Sequence, residues 1–274
     1  MTRSRARTYS QKARSVARRL RRRLGGGARE AELEAELRAT KRKLRKARAE
    51  SAPALPPEVE ETIARARAEH LTYLKPGNLR ELAALVVELE RAGRSGLIVE
   101  AGTARGGSAI VLAAAKAAER PMKVYDVFGM IPPPGEHDGE DVHERYEKIA
   151  TGAAKGVGGE TYYGYRGDLY HEVTESFERL GVPLAEHNVE LIQGLFEDTI
   201  ELDEPVAFAH LDGDWYESTM TCLTRIAPLL VPGGRIVVDD YDKWSGCRAA
   251  VDEYFARRDG FRFERRAKLH VVRD

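Results

Sequence analysis

No apolar run in this chain is long enough to span a membrane as a helix. Cysteine is scarce: Cys222 and Cys247 are the two in 274 residues, and they lack the spacing of a disulfide framework. That scarcity fits a reducing, intracellular setting, and a cytoplasmic location is expected. The N-terminus is basic, but no apolar segment follows it, which argues against a secretory signal. Net charge is lacking too, at a formal +0. The balance hides an asymmetry, because residues 1–50 hold about 18 Lys and Arg against about 5 acids, and the remainder carries the opposite excess. Also missing is the G-x-G-x-x-G spacing of a pyrophosphate-binding turn, which disfavours a nicotinamide oxidoreductase.

What is present suits one large domain with an appendage. Hydrophobic residues make up 42% of the chain, enough for a sizeable core. Residues 1–56 read as the appendage. An Arg-rich arm runs to Gly25-Gly26-Gly27, and a charged helix follows over 29–49. Leu33, Leu37, Thr40, Leu44 and Ala47 recur at a/d-like spacing there, which suits a short coiled coil or a plain charged helix. The arm suits a solvated tail, or contact with acidic lipid, nucleic acid or an acidic partner. Residues 57–274 form the main domain in this reading. Over 58–92 the pattern predicts two helices broken near Lys75-Pro76-Gly77, with Leu79, Leu82, Leu85, Val86 and Leu89 as a core stripe.

From Leu97 the chain alternates strands and helices. LIVEAGTARGGSAIVLAAAKAA reads as strand, glycine-rich turn and helix, with Glu100, Gly102, Gly106 and Gly107 placed for a tight turn beside a ligand. MKVYD ends a second strand in Asp126, roughly twenty residues past that turn, where an acid can hydrogen-bond a nucleoside ribose. NVELIQ, AFAHL and RIVV are further buried strands, and FRFER with KLHVV predicts an antiparallel hairpin at the sheet edge. Residues 129–170 are long, rich in Gly and Pro and dotted with Tyr and His. Such an insertion reads as a lid or acceptor-binding segment, with Tyr146, Tyr162, Tyr163 and Tyr165 speaking against simple disorder.

The stretch from Val206 to Tyr241 carries the strongest chemistry. Two apolar strands finish in clustered acids, Asp212 and Asp214 after the first and Asp239 and Asp240 after the second. Ligands bind at the carboxyl ends of parallel strands, and four acids on one rim repel each other unless a cation or proton joins them. A divalent-metal site is therefore expected.

VEAGTARGGS, YDVFGM, HLDGDWYES and PGGRIVVDDYDKWSGCRAAVDEYF resemble the macrocin O-methyltransferase (TylF/MycF/NovP-like) family of class I S-adenosylmethionine-dependent methyltransferases. The resemblance covers roughly residues 70–274. It implies an α/β fold, with a Rossmann-like, mostly parallel seven-stranded sheet and helices on both faces, preceded by N-terminal helices. It implies Mg²⁺ held by Asp212, Asp239 and Asp240, with Asp214 as general base. It also implies an S-adenosyl-L-methionine site built from Tyr73, Leu74, Glu100, Gly102, Thr103, Gly106, Ser108, Asp126, Gly194, Phe196 and Asp212. The expected reaction is Mg²⁺-dependent methylation of a sugar hydroxyl on a glycoside or natural-product glycan bearing vicinal hydroxyls, by a homo-oligomer. Two other readings stay open: a metal-dependent O-methyltransferase of a catechol-type or other small acceptor, and a non-catalytic S-adenosylmethionine-binding scaffold.

Overall fold

The computed structural model describes residues 54–274, together with seven helical positions between 29 and 40. The chain divides into two units, Met1–Pro53 and Ala54–Asp274. The expected arm at residues 1–28 and most of the expected coiled-coil positions lie outside the described residues.

Two helices open the second unit. Helix α1 (Pro57–Ala68) starts on a proline, which supplies the φ a first turn needs and has no N–H to leave unpaired. Glu58 and Glu60 lie in its first turn and Arg65 and Arg67 in its last, each complementing the helix dipole. Helix α2 (Pro76–Arg91) begins the same way and buries Leu79, Leu82, Leu85, Val86 and Leu89. The break between them is the one expected at Lys75-Pro76-Gly77.

Strand β1 (Leu97–Ala101) leads to α3 (Gly107–Ala115) and β2 (Met122–Asp126). Helix α4 (Glu140–Ala150) and two single 3-10 turns, at Val157–Gly159 and Tyr163–Tyr165, lie within the long insertion. There follow α5 (Leu169–Arg179), β3 (Val189–Gln193), α6 (Phe196–Thr199), β4 (Val206–Leu211), α7 (Tyr216–Ile226), β5 (Leu230–Val238), α8 (Ser245–Phe255), β6 (Phe261–Arg265) and β7 (Leu269–Arg273).

The seven strands form one sheet in the order β3-β2-β1-β4-β5-β7-β6. The first five are mutually parallel, while β7 pairs antiparallel with both β5 and β6. This is the expected seven-stranded, mostly parallel sheet with its edge hairpin. Strand order reverses between β1 and β4, so their carboxyl ends flank the crevice where doubly wound sheets bind ligands. Side chains alternate across the sheet. Ile98, Val124, Phe208 and Val237 pack beneath α1, α2, α3 and α5. Val99, Ala209, Ile236 and Val238 pack on the other face against Cys222, Leu223 and Ile226 of α7 and Val251 and Tyr254 of α8.

Candidate active site

The turn after β1 is held close to the end of β4. The Asp212 N–H donates to Ala101 O (2.9 Å) and the Gly102 N–H to Tyr125 O (2.8 Å). Gly102 has φ +87°, and a Cβ there would stand 2.1 Å from the Asp212 carbonyl oxygen. Only glycine permits both that backbone conformation and that approach. Asp126 at the end of β2 faces the same turn. Its Oδ2 accepts the N–H groups of Thr103 (2.7 Å) and Ala104 (3.0 Å), and its Oδ1 accepts that of Phe128 (2.7 Å). Burial nevertheless outweighs these three bonds and raises the Asp126 pKa.

The acids after β4 and β5 meet. Oxygens of Asp212, Asp214 and Asp240 lie within 4.8 Å of one another. Asp240 is 1% exposed, and neither of its oxygens accepts a hydrogen bond. Asp214 sits at φ +56°, with its Oδ1 accepting the Trp244 Nε1–H at 2.8 Å. Burial, then the Asp240 and Asp239 charges, push the Asp212 carboxyl well above the usual carboxylate range. Burial and the Asp240 charge carry Asp214 up to about 8, against the opposing pull of Lys243 and Trp244. Groups driven this far toward neutrality are what a cluster of acids becomes when its charge is balanced only in part, here by Lys243 at 3.3 Å from Asp240. Arg225, Arg235 and Arg248 do not balance it: their partners are Ile200 O, Glu264, and Tyr241 O with Asp242.

Of the expected trio Asp212, Asp239 and Asp240, Asp212 and Asp240 converge with Asp214, while Asp239 lies near enough for its charge to raise Asp212 and keeps one buried oxygen, Oδ1, without a hydrogen bond. Asp239 continues the β5 ladder, its N–H donating to Leu211 O at 2.9 Å. Neighbouring residues of extended chain point to opposite faces. The Asp239 carboxylate accordingly turns toward Lys268, 2.5 Å away, and His210, 3.8 Å away. Those two cations outweigh burial and lower its pKa.

His210 was not singled out by the sequence. It pairs in register with Glu100, and its Nδ1 lies 2.8 Å from Glu100 Oε1, both side chains 0% exposed. Glu100 Oε2 in turn accepts the Thr103 hydroxyl at 3.2 Å. Burial alone would keep the imidazole neutral, but the Asp239 and Glu100 carboxylates push its pKa up to about 9. At 3.8 Å the Asp239 contact is charge attraction, while Glu100 makes the hydrogen bond. A row of alternating charge, Glu100–His210–Asp239–Lys268, buried except at Lys268, thus ties the glycine turn to the acid rim. The available sequence signal was a single ionisable residue in each of two otherwise apolar strands.

The remaining expected donor-site residues are spread around the crevice. Thr103 and Ser108 are buried at the turn and the start of α3, and Gly106 caps that helix at φ +84°. Gly194 (φ +151°) and half-buried Phe196 follow β3. Tyr73 is 48% exposed, whereas Leu74 lies in the core.

The insertion is stitched to these elements. Asp138 Oδ1 accepts the Tyr216 N–H (2.9 Å) at the start of α7, and Asp141 Oδ2 accepts the Ser245 N–H (3.0 Å) at the start of α8. Glu160 reaches Arg105 of the glycine turn (2.7 Å), His70 (3.0 Å) and Arg166 (3.3 Å). Tyr163 packs edge-on to Tyr73 at 6.2 Å between ring centroids, and burial raises its phenol pKa, with the Asp214 and Asp126 charges adding to the effect. His137 pairs with Glu217 and stacks on Tyr216 at 4.5 Å. Among the described residues, no helix is long and apolar enough to cross a membrane.

A doubly wound sheet with a glycine turn after β1, an acid after β2 and an acid rim after β4 and β5 is the class I methyltransferase architecture. Comparison with known proteins takes this further: the family model for macrocin-O-methyltransferase (TylF) matches residues 28–260, and the chain belongs to that family. It is 33% identical over 170 residues to demethyldecarbamoylnovobiocin O-methyltransferase of Streptomyces niveus, covering 60% of each chain. It is 30% identical over 194 residues to mycinamicin III 3''-O-methyltransferase of Micromonospora griseorubida, covering 67% of this chain and 69% of that one. A tetracenomycin-C 4'-O-methyltransferase of Streptomyces olivaceus is 33% identical over 171 residues. The match spans 60% of the length of the novobiocin and tetracenomycin relatives. Among solved structures, the O-methyltransferase NovP superposes with TM-score 0.61 at 26% identity, over 74% of this chain and 82% of that one. The calicheamicin methyltransferase CalS11, at TM-score 0.55 and 17% identity, shares the fold over 82% of this chain and 95% of its own.

Proposed function

We propose that this protein transfers a methyl group from S-adenosyl-L-methionine to a sugar hydroxyl of a natural-product glycoside, in a reaction that depends on Mg²⁺. The observation that carries the reading is the convergence of half-buried Asp212 and Asp214 with buried Asp240 beside the glycine turn. Family membership supports the donor, and the relatives' names support the acceptor class: one acts on a rhamnosyl-bearing tetracenomycin.

The residues fit a hard cation. Carboxylate oxygens are the ligands Mg²⁺ prefers, and both Asp240 oxygens are buried without a hydrogen bond. Asp212 and Asp240 would hold the ion, with Asp239 engaged by Lys268 and His210 behind them. When bound, the ion supplies a charge that favours ionisation of a neighbouring hydroxyl. Asp214 takes the proton in this reading, and general-base catalysis of this kind contributes roughly 10²–10⁴-fold. The bond formed is acceptor oxygen to methyl carbon and the bond broken is methyl carbon to sulfur, leaving S-adenosylhomocysteine. Glu100 and Thr103 shape the donor turn, Asp126 is assigned to the donor ribose, and the Gly194–Phe196 segment to its adenine. Tyr73, on whose ring Tyr163 packs edge-on, is assigned with Leu74 to the segment that closes over the donor.

The test is a methyl-transfer assay read by mass spectrometry on a panel of glycosides, diols and catechols. Methylated glycoside is expected with Mg²⁺ present, and loss of turnover with EDTA, Asp212→Asn or Asp240→Asn. Full activity in EDTA would remove the metal from the reaction, and exclusive methylation of catechols would reassign the acceptor.

A further inference from the structure

We propose that Lys243 is a tethered counter-cation of the acid rim, holding Asp240 and Asp214 until a divalent ion displaces it, and so setting the rim's metal affinity. The inference rests on the metal reading above and concerns its regulation by this chain's own side chain.

The buried acids need a positive partner, and the described residues offer few. Lys268 is committed to Asp239, through both its carboxylate and its carbonyl oxygen. Among the described residues, Lys243 is the basic side chain within 4.0 Å of Asp240 or Asp214. Its Nζ lies 3.3 Å from Asp240 Oδ1 and 3.9 Å from Asp214 Oδ1. The local chain explains the reach: the Lys243 N–H donates to Asp240 O at 2.9 Å, and this turn folds the side chain back over the acid three residues before it.

The ammonium comes from the solvent side. The Lys243 side chain is 57% exposed, against 1% for Asp240, and its Nζ rests 4.8 Å from the Trp244 ring centroid. Its side chain is more than half exposed, so once the ion pair with Asp240 is broken, rotation about its own bonds carries it into water. A lysine ammonium is a compact, strongly hydrated charge, and it competes for the same oxygen lone pairs that a hard divalent ion requires. The two cannot share those lone pairs, and at contact distance they repel. The rim therefore stays assembled before metal arrives, and loading becomes an exchange of one cation for another.

Isothermal titration of Mn²⁺ into the full chain tests this with wild type, Lys243→Met and Lys243→Arg. Deleting the charge should tighten Mn²⁺ binding by about thirtyfold, the scale of a unit charge acting on a divalent ion about 4 Å away through a water-like medium. Lys243→Arg keeps the charge and should stay near wild type. Equal or weaker binding by Lys243→Met, with wild type still binding Mn²⁺, overturns the counter-cation and leaves the metal site standing. Failure of all three proteins to bind Mn²⁺ at millimolar concentration overturns the metal site and this inference with it.

Discussion

Replacing His210 by glutamine deletes a buried positive charge while leaving a donor that can still reach Glu100. In the native protein the His210–Glu100 contact is 2.8 Å with both side chains 0% exposed, and Asp239 stands 3.8 Å away on the other side. Removing the imidazolium leaves Glu100 with neutral partners alone, the Thr103 hydroxyl at 3.2 Å and the introduced amide. Breaking a buried ion pair costs about 3–5 kcal/mol, and the retained donor places this variant at the lower end, about 3 kcal/mol. For a unit the size of Ala54–Asp274 that is a fall in Tm of about 6–12 °C. The assay is a double-mutant cycle in urea: His210→Gln, Glu100→Gln and both together. The double variant should be more stable than the summed single losses allow, by about 1–3 kcal/mol. Affinity for S-adenosylhomocysteine should drop in both single variants, because Glu100 also fixes Thr103 of the glycine turn. If the two single losses simply add, within about 0.5 kcal/mol, the buried pair carries no coupling and the tie between turn and rim is wrong.

Gly102→Ala forces a Cβ to 2.1 Å from the Asp212 carbonyl oxygen at φ +87°, so it should destabilise by about 2–4 kcal/mol and abolish donor binding; a melt within 2 °C of wild type would contradict it. Asp138→Ala removes the acceptor for the Tyr216 and Gly135 N–H groups, and the loss of two such bonds should cost about 2–3 kcal/mol and raise proteolysis within the insertion; an unchanged cleavage pattern would show that the insertion is held elsewhere. Glu264 is partly buried, yet Arg235 and Arg266 pull its carboxyl down to about 2 from the ordinary 4.5. A carboxylate with a depressed folded pKa stabilises fully above the unfolded value and loses that contribution as pH falls toward the folded one. Glu264→Gln should therefore be about 1 kcal/mol less stable than wild type at pH 7, with the gap closing between pH 4.5 and pH 2. A gap that is constant over that range would refute the pairing.

The sequence by itself determined the element order. Buried parallel strands such as Val206–Leu211 are continuous apolar runs, and Pro57, Pro76 and the Gly102–Gly107 turn are local signals that carry their own backbone geometry. The crevice followed as well, since acids after successive parallel strands fall on one edge whatever the packing in between. Tertiary structure alone decided which acids meet. Asp239 and Asp240 are adjacent in the chain and look equivalent there, but the pleat sends one toward Lys268 and His210 and the other into the rim beside Asp212 and Asp214. Strand register set Glu100 against His210 across 110 residues. The insertion's anchors, Asp138, Asp141 and Glu160, lie in a stretch without period, where no repeat marks which carboxylate will cap a helix or meet an arginine. Local propensity is written in neighbouring residues, but partners this distant are chosen by register, pleat and packing.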